Sequence, residues 1–417
     1  MRADEASIVW PMTVRRRVEP VPADEVRELP GGRRLIVIKS LDRIEAVRDA
    51  WHELKPEHVI ADPDFFAATV AGDAKIVRPH VVLLERDGEP EALAAARLER
   101  QELSHRIGYR TVYKPHVRAL TVVHGGLVGD QSEEQFRLLL DQLRLALRSG
   151  EADLLLLSYL PLDSPAFRIA STEPPFLSRQ HLVRSGVRWE LELPGSVEEF
   201  LQTKSPKHRQ TLKRRARKLE RDFAGRFEIR RFEHVEDLDD FVAAAAAVST
   251  KTYQHTLGFA FGDTPAHRRR TQVAMEHGWF RGWVLYLDGE PAAFWHGERY
   301  ARRFRTGNPG FDPAYDAYGI GTYLMLRMVD DLCRDPEVES VDHGVGDATY
   351  KQRYGTRSTV EGSVFVFPPT FRGARLNASL TLVAHAVAGA RWLAERAGVL
   401  GAAKSRWRRR LGAPAQG

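Results

Sequence analysis

The densest group of potentially reactive residues is Asp342-His-Gly-Val-Gly-Asp-Ala-Thr-Tyr-Lys-Gln-Arg-Tyr-Gly355. It follows a predicted strand over 338–344 and puts Tyr350, Lys351 and Tyr354 on a short helix. A lysine and two phenols just past a strand end can steady an oxyanion and protonate a leaving group. Gly344 and Gly346 would let a ligand approach the backbone or let the chain turn tightly. The plainer reading is a glycine-rich loop with an exposed lysine.

Three further groups could serve the same chemistry. Residues 204–221 carry nine Lys/Arg against one Glu. On a helix Arg209, Lys213 and Arg217 share one face, with Leu212 and Leu219 as apolar anchors, so the helix either offers a face to an anion or is simply solvated. Tyr318-Gly-Ile-Gly321, followed by Thr322, opens a predicted helix. There Gly319 and Gly321 would expose backbone N–H groups to a phosphate at a positive helix end, although Asp316 nearby disfavours one. His296 and Glu298 alternate along a strand and point to one face; Glu298 and Asp342 are candidate bases, with core-edge polar roles as the alternative.

Composition removes several classes of function. Cys333 is the only cysteine, so a disulfide framework and multi-cysteine metal sites are excluded. It reads as a core or boundary residue of a protein from a reducing, cytoplasmic compartment. No His-x-x-x-His or His-Glu-x-x-His spacing occurs, so no metal is expected, and neither a Gly-x-Ser-x-Gly elbow nor a Walker loop is present. The net charge of +6 is unevenly spread: +8 in 204–221 and +5 in 404–410 leave −7 for the rest. An acidic body with two basic segments suggests local capture of anions rather than coating of a nucleic acid.

The elements that must position these groups recur in order. Strand 34–39, helices 41–54 and 62–70, a hairpin of strands 80–85 and 92–98, helix 133–149 and strand 152–159 make a first half. Strand 187–193, helix 235–250, a hairpin of strands 282–287 and 292–297, helix 321–333 and strand 338–344 make a second. Asp-Gly-Glu-Pro sits in both hairpin turns, at 87–90 and 288–291, which supports two related α/β domains. A long Ala/Leu-rich helix over 376–411 ends in Arg406-Trp407-Arg408-Arg409-Arg410. It is too short in apolar residues to span a bilayer, and it either packs on the body or touches an anionic lipid surface or polyanionic partner.

The motif Asp-x-Gly-x-Gly-Asp-x-x-Tyr-Lys-x-x-Tyr-Gly resembles the terminal signature of a bacterial acetyltransferase-like family found in cellulose and exopolysaccharide loci. That family lies in the GNAT superfamily and is similar to the Fem-type peptidoglycan aminoacyltransferases. Two more motifs agree. One is Val187-Arg-Trp-Glu-Leu-Glu-Leu-Pro followed by Ser205-Pro-Lys-His-Arg-Gln-Thr-Leu-Lys-Arg-Arg. The other is Arg305-Thr-Gly-Asn-Pro-Gly-Phe-Asp-Pro-Ala-Tyr-Asp-Ala-Tyr-Gly-Ile-Gly-Thr. The likeness covers about 40 to 370. It departs at Tyr318-Gly-Ile-Gly321, where the family often has Tyr-Ser-Pro-Gly; this version is closer to the superfamily's pyrophosphate loop.

The resemblance implies an α/β (α+β) chain of two tandem GNAT-like domains, each a mixed, mostly antiparallel sheet flanked by helices, plus a C-terminal helix. The segments are a flexible leader (1–33), an N-terminal GNAT-like domain (34–186), a C-terminal GNAT domain with the basic helix (187–371), and a helical basic tail (372–417). The implied reaction moves an acyl group, acetyl in the first instance, from acyl-coenzyme A to an amine or hydroxyl of a sugar-containing or cell-envelope precursor. Lys351 would steady the oxyanion and Tyr350 or Tyr354 would protonate the thiolate. Gly319, Gly321 and Thr322 would hold the coenzyme, while Arg209, Lys213, Arg217 and His296 would meet an anionic acceptor. In Fem-like relatives the residue matching Arg209 lies near substrate phosphate. The alternatives are a Fem-like transferase using aminoacyl-tRNA and a non-catalytic scaffold of a polysaccharide-synthesis system. The protein would be cytoplasmic, with possible contact to the inner membrane face through its tail.

Overall fold

The structure is a computed structural model that describes residues 24–107, 110–183, 185–252, 261–346 and 348–396. The leader up to 23 and the basic end at 404–410 lie outside the described residues. Within the segment read as a leader, Glu25–Leu29 forms an edge strand, β1, paired with β2 (Arg33–Ile38). The remaining strands of the first half are β3 (Ile76–Arg86), β4 (Glu89–Glu102), the short ribbon β5 (His105–Ile107) and β6 (Arg110–Tyr113), β7 (His116–Gly129) and β8 (Leu154–Pro161). Those of the second half are β9 (Ser185–Glu192), β10 (Phe227–Phe232), β11 (Phe280–Leu287), β12 (Glu290–Tyr300), β13 (Arg303–Thr306), β14 (Gly310–Phe311), β15 (Ser340–Val345) and β16 (Arg357–Val366).

Except for the β5–β6 ribbon, the described strands join in one fourteen-stranded sheet ordered β1-β2-β3-β4-β7-β8-β16-β9-β15-β13-β12-β11-β10, with β14 on β12. The two halves repeat one pairing scheme. In the first, β2, β3, β4 and β7 are successively antiparallel, and β7 runs parallel to β8. In the second, β10, β11, β12 and β13 are antiparallel, and β13 runs parallel to β15. The repeated Asp-Gly turns agree in detail: Asp87, Gly88, Asp288 and Gly289 all have positive φ, and each hairpin shifts register just before the turn. Two consecutive left-handed residues match the twist of a two-residue hairpin, and Asp-Gly tolerates them. The expected mixed, mostly antiparallel sheets flanked by helices are thus present.

The halves exchange their last strands. β9 precedes the second half in sequence and completes it beside β15, whereas β16 follows it and completes the first half beside β8. β9 and β16 then pair with each other, fusing the sheets. Arg188 of β9 reaches diagonally to both neighbours: it pairs with Asp342 of β15 and, at 2.7 Å, with Glu361 of β16. Asp342 is 1% exposed and Glu361 5%. The helix expected over 376–411 begins earlier, at Phe371, after Pro368-Pro369-Thr370, and its described part ends at Arg396.

Removing one partner of a buried ion pair strands the others in a medium that solvates charge poorly. Arg188→Ala should therefore lower unfolding free energy by about 3–5 kcal/mol in a urea titration. A loss below about 1 kcal/mol, the surface-pair range, would show that the centre is held otherwise.

Candidate functional site

The parallel pair β13–β15 ends in a divergence. Register runs from Arg303 opposite Ser340 to Arg305 opposite Asp342, then β13 stops at Thr306 and β15 bulges between Asp342 and Val345. Asp342 Oδ1 accepts the Gly344 N–H at 2.7 Å, and Gly344 and Gly346 adopt φ of 71° and 138°. Few other residues adopt such angles without strain, so these glycines shape the loop. Asp347, also in the motif, lies outside the described residues.

Lys351 folds back over this loop from the helix Thr349–Tyr354. Its Nζ donates to Val345 O at 3.0 Å and lies 3.7 Å from where a Cβ would stand on either glycine. Burial, with the nearby Arg188 charge, pushes its pKa below the usual lysine value despite Asp342. Tyr350 packs edge-on to Trp295 and to His343. Tyr354 is buried; its hydroxyl meets His208 Nε2 at 3.1 Å, and Thr322 is a second hydrogen-bond partner. Burial keeps this phenol protonated by raising its pKa.

The glycine turn stands beside this group. Gly319 is left-handed (φ 64°) and opens the helix Ile320–Leu332, whose first turn contains no acid. Trp295 Nε1 donates to Gly321 O at 3.0 Å, fixing the helix start to the sheet. Arg215, reaching over from the basic helix Pro206–Asp222, lies 3.1 Å from the Cβ position of Gly319. A cleft of about 170 Å³ separates the two helices, lined by Leu212, Lys213, Arg215, Gly319, Thr322 and Tyr323 among others. The acid that argued against phosphate, Asp316, is exposed.

The basic helix is anchored as expected by Leu219, which is fully buried, and by half-buried Leu212. Lys213, Arg214, Arg215 and Arg217 are exposed and form no ion pair among the described residues. Arg209 is partly engaged, donating to Gln202 O and Lys204 O and so capping the preceding short helix Val197–Gln202.

The sheet separates two of the expected residues from the rest. Trp295 belongs to the core beneath the basic helix, whereas Phe294 and its alternates face the opposite core. His296 and Glu298 share that second face. Glu298 pairs with Arg305 at 2.8 Å. The His296 ring lies among Phe241, Phe261, Phe280 and Phe294, and neither nitrogen has a partner among the described residues. Burial lowers its pKa to about 3. The structure thus gathers Tyr350, Lys351, Tyr354, Gly319, Gly321 and Thr322 with the basic helix, and sets His296 and Glu298 apart.

Four residues were not singled out from sequence. His343, buried beside Lys351, has two unpartnered ring nitrogens among the described residues and a pKa lowered by burial to about 4. His58, His124 and Arg188 meet where β7 and β8 diverge: the imidazole rings are 4.3 Å apart, and Arg188 Nη2 is 2.9 Å from His124 Nε2. Only a charged residue inside a strand, Arg188, hinted at them. His52, Asp62 and Asp64 place ligand atoms close together. Their oxygens are already engaged: Asp62 caps a helix and accepts from Tyr300, and Asp64 pairs with Arg48 and His277. That cluster reads as a tie between the halves.

Residues 206–352 match the family described as "Acetyltransferase (GNAT) domain". Among solved structures, the chain is similar to FemX at 12% identity and a TM-score of 0.54, covering 77% of this chain and 95% of that one. A tandem GNAT protein from the clavulanic acid biosynthesis pathway gives 12% identity and a TM-score of 0.49, covering 81% and 99%. The C-terminal domain of a putative lysylphosphatidylglycerol synthetase from Agrobacterium fabrum gives 14% and 0.46, covering 82% and 97%. No curated protein sequence matches the chain. At these identities the FemX likeness establishes shared fold.

A histidine held neutral takes up no proton on acidification, while the unfolded chain does so below about pH 6.5. Stability therefore falls toward pH 4. His296→Phe removes one such group, so the stability lost between about pH 7.5 and 5 should shrink by about 2 kcal/mol in paired denaturant titrations. Equal losses in both proteins would refute a neutral His296.

Proposed function

We propose that this chain, whose residues 206–352 match the GNAT acetyltransferase domain, transfers an acyl group from acyl-coenzyme A to an amine or hydroxyl of an anionic, sugar-containing or cell-envelope precursor. The observation that carries the reading is a convergence. The Gly344–Gly346 loop under Lys351, the phenols of Tyr350 and Tyr354, and an acid-free helix start beside Arg215 meet on one face at the end of β13 and β15.

The coenzyme fits the residues present. Contrary to the expectation for Gly319, its N–H is taken by Asp316 O at 2.9 Å, and that of Thr322 by Gly319 O at 3.1 Å. The N–H groups of Ile320 and Gly321, with Arg215 and Lys213 adding positive charge nearby, are those that suit a pyrophosphate. The acceptor's nitrogen or oxygen attacks the thioester carbonyl carbon and gives up its proton to solvent water, from which Tyr350 is reprotonated after the transfer. The carbon–sulfur bond breaks, and sulfur leaves with the electron pair and is reprotonated. Lys351, turning from Val345 O, balances charge on the carbonyl oxygen from a half-buried position, where a cation is worth more than in open water. Tyr350 supplies the proton to sulfur, and Tyr354, tied to His208 and Thr322, fixes that short helix against the coenzyme cleft. Asp342 and Glu298 are bound to arginines, so Asp342 acts by holding the loop. The exposed Lys213 and Arg217 meet the acceptor's negative charge, and Arg209 braces the helix that carries them.

A Fem-like reaction with aminoacyl-tRNA is the second reading. It is favoured by the exposed cationic face of the basic helix, where Lys207, Lys213, Arg214 and Arg217 stand open to solvent.

Calorimetry with acetyl-coenzyme A and with bulk tRNA separates the readings: heat from acetyl-coenzyme A without tight tRNA binding supports the first, the reverse the second. With amino-sugar acceptors and thiol release as readout, Lys351→Ala should reduce turnover at least about tenfold with an unchanged circular dichroism spectrum. Arg215→Glu should raise KM for the acyl donor about tenfold with little change in kcat. Full activity in the Lys351 variant would remove that residue from the mechanism.

A further inference from the structure

The helix Phe371–Arg396 is apolar on the side it turns outward as well as on the side it buries. Leu376 and Ala384 pack inward, and Asn377 Nδ2 donates to Leu177 O (3.0 Å) and Arg179 O (2.8 Å). These bonds set the helix against the loop that carries Phe176 and Leu177. Outward, Phe371 is 85% exposed, Leu382 71% and Trp392 56%, with Phe176 and Leu177 at 65% and 64%. These are the most exposed large apolar side chains among the described residues. At 100° per residue, Phe371, Leu382 and Trp392 fall within about 80° of arc, one stripe along the helix. Scattered exposed leucines need no explanation, but an aligned stripe beside an apolar loop marks a surface that something covers.

Charge selects the occupant. Residues 371–417 contain nine Lys/Arg and one acid, Glu395, a net +8. The helix itself has no acid before that position. A second copy of this chain packed on the same face would set the exposed Arg375 and Arg396 of each helix against those of the other, because a two-fold interface meets itself. A phosphate-rich plane instead accepts both the cations and the apolar side chains. No helix among the described residues is long and apolar enough to cross a membrane, so the fitting geometry is a helix lying along the surface. We propose that the Phe371–Arg396 helix and the Phe176–Leu177 loop seat this protein on an anionic lipid bilayer. The aromatic and leucine side chains enter the headgroup–acyl boundary, and the exposed Arg375 and Arg396 lie among the phosphates, while Arg372 ties the helix to Asp153.

The test is sedimentation of the full-length chain with phosphatidylcholine vesicles, plain or containing about one third phosphatidylglycerol. The protein should pellet with the anionic vesicles and stay soluble with the neutral ones. The triple variant F371S/L382S/W392S, altered only at exposed positions, should bind at least about tenfold more weakly with an unchanged melting temperature. Failure of the wild type to pellet with anionic vesicles overturns the proposal. So does a triple variant that pellets like wild type, which would leave the basic segments alone responsible. Light scattering that shows a dimer abolished by the triple variant would assign the stripe to a second copy instead. None of these outcomes depends on transferase activity.

Discussion

One arginine between two buried carboxylates holds the two halves in register. Arg188 stands on β9, the strand that the second half borrows from the inter-domain segment, and its partners come from β15 and β16 on either side. Burying a guanidinium is unfavourable unless its donors are satisfied, and here both carboxylates and His124 Nε2 accept from it. The geometry admits little slippage. Moving β9 by one residue would turn Arg188 to the other face and leave Asp342 and Glu361 without a cation. Pairing register, domain fusion and the position of the β15 loop are therefore set together.

The site inherits that constraint through Asp342. One of its oxygens takes Arg188 and the other takes the Gly344 N–H, so the carboxylate links the sheet centre to the loop under Lys351. Trp295 makes the second link, from the sheet to the start of the helix after Gly319. His208 makes the third, from the basic helix to Tyr354. Each uses a polar atom that would be costly to bury alone, and each therefore fixes an angle as well as a distance. The cleft between the helices is positioned by three such bonds rather than by loop packing.

Much of this was legible in the sequence because it is local. Asp-Gly turns, the strand before Asp342, the helix after Gly319 and the Leu212/Leu219 anchors depend on residues a few positions apart. The grouping of Tyr350, Lys351 and Tyr354 is equally local, being one turn of helix. What could not be read is non-local. The exchange of β9 and β16 is a choice of pairing partner among strands of similar composition, and only the structure reveals it. The partners of Arg188 lie 154 and 173 residues away along the chain. Alternation along a strand says that Asp342 and His343 point apart, not which of them meets Lys351. Nor does alternation say whether His296 faces a substrate or the core. The period gives a face shared with Phe294 and Glu298, whereas Phe241, Phe261 and Phe280, which enclose the ring, come from three other segments of the chain.

The pseudo-symmetry also shows how the two halves differ at the equivalent helix start. In both halves a helix follows the first strand of the parallel pair and leads into the second. The helix of the first half, Glu133–Arg148, begins with Glu133 and Glu134, and these acids are held by Arg137, Arg168 and Arg33. Carboxylates there satisfy the helix dipole internally and repel any phosphate that approaches. The second-half helix begins at a left-handed glycine with no acid in its first turn, leaving the same positive end open beneath Arg215. The divergence of the parallel strands is treated as differently. Between β7 and β8 it is filled by the His58–His124 pair and capped by Tyr159, whereas between β13 and β15 it carries the glycine loop and Lys351. A duplicated framework thus holds one end closed by its own side chains, and that rigid end supplies the carboxylate and imidazole partners that keep Arg188, and through it the open end, in place.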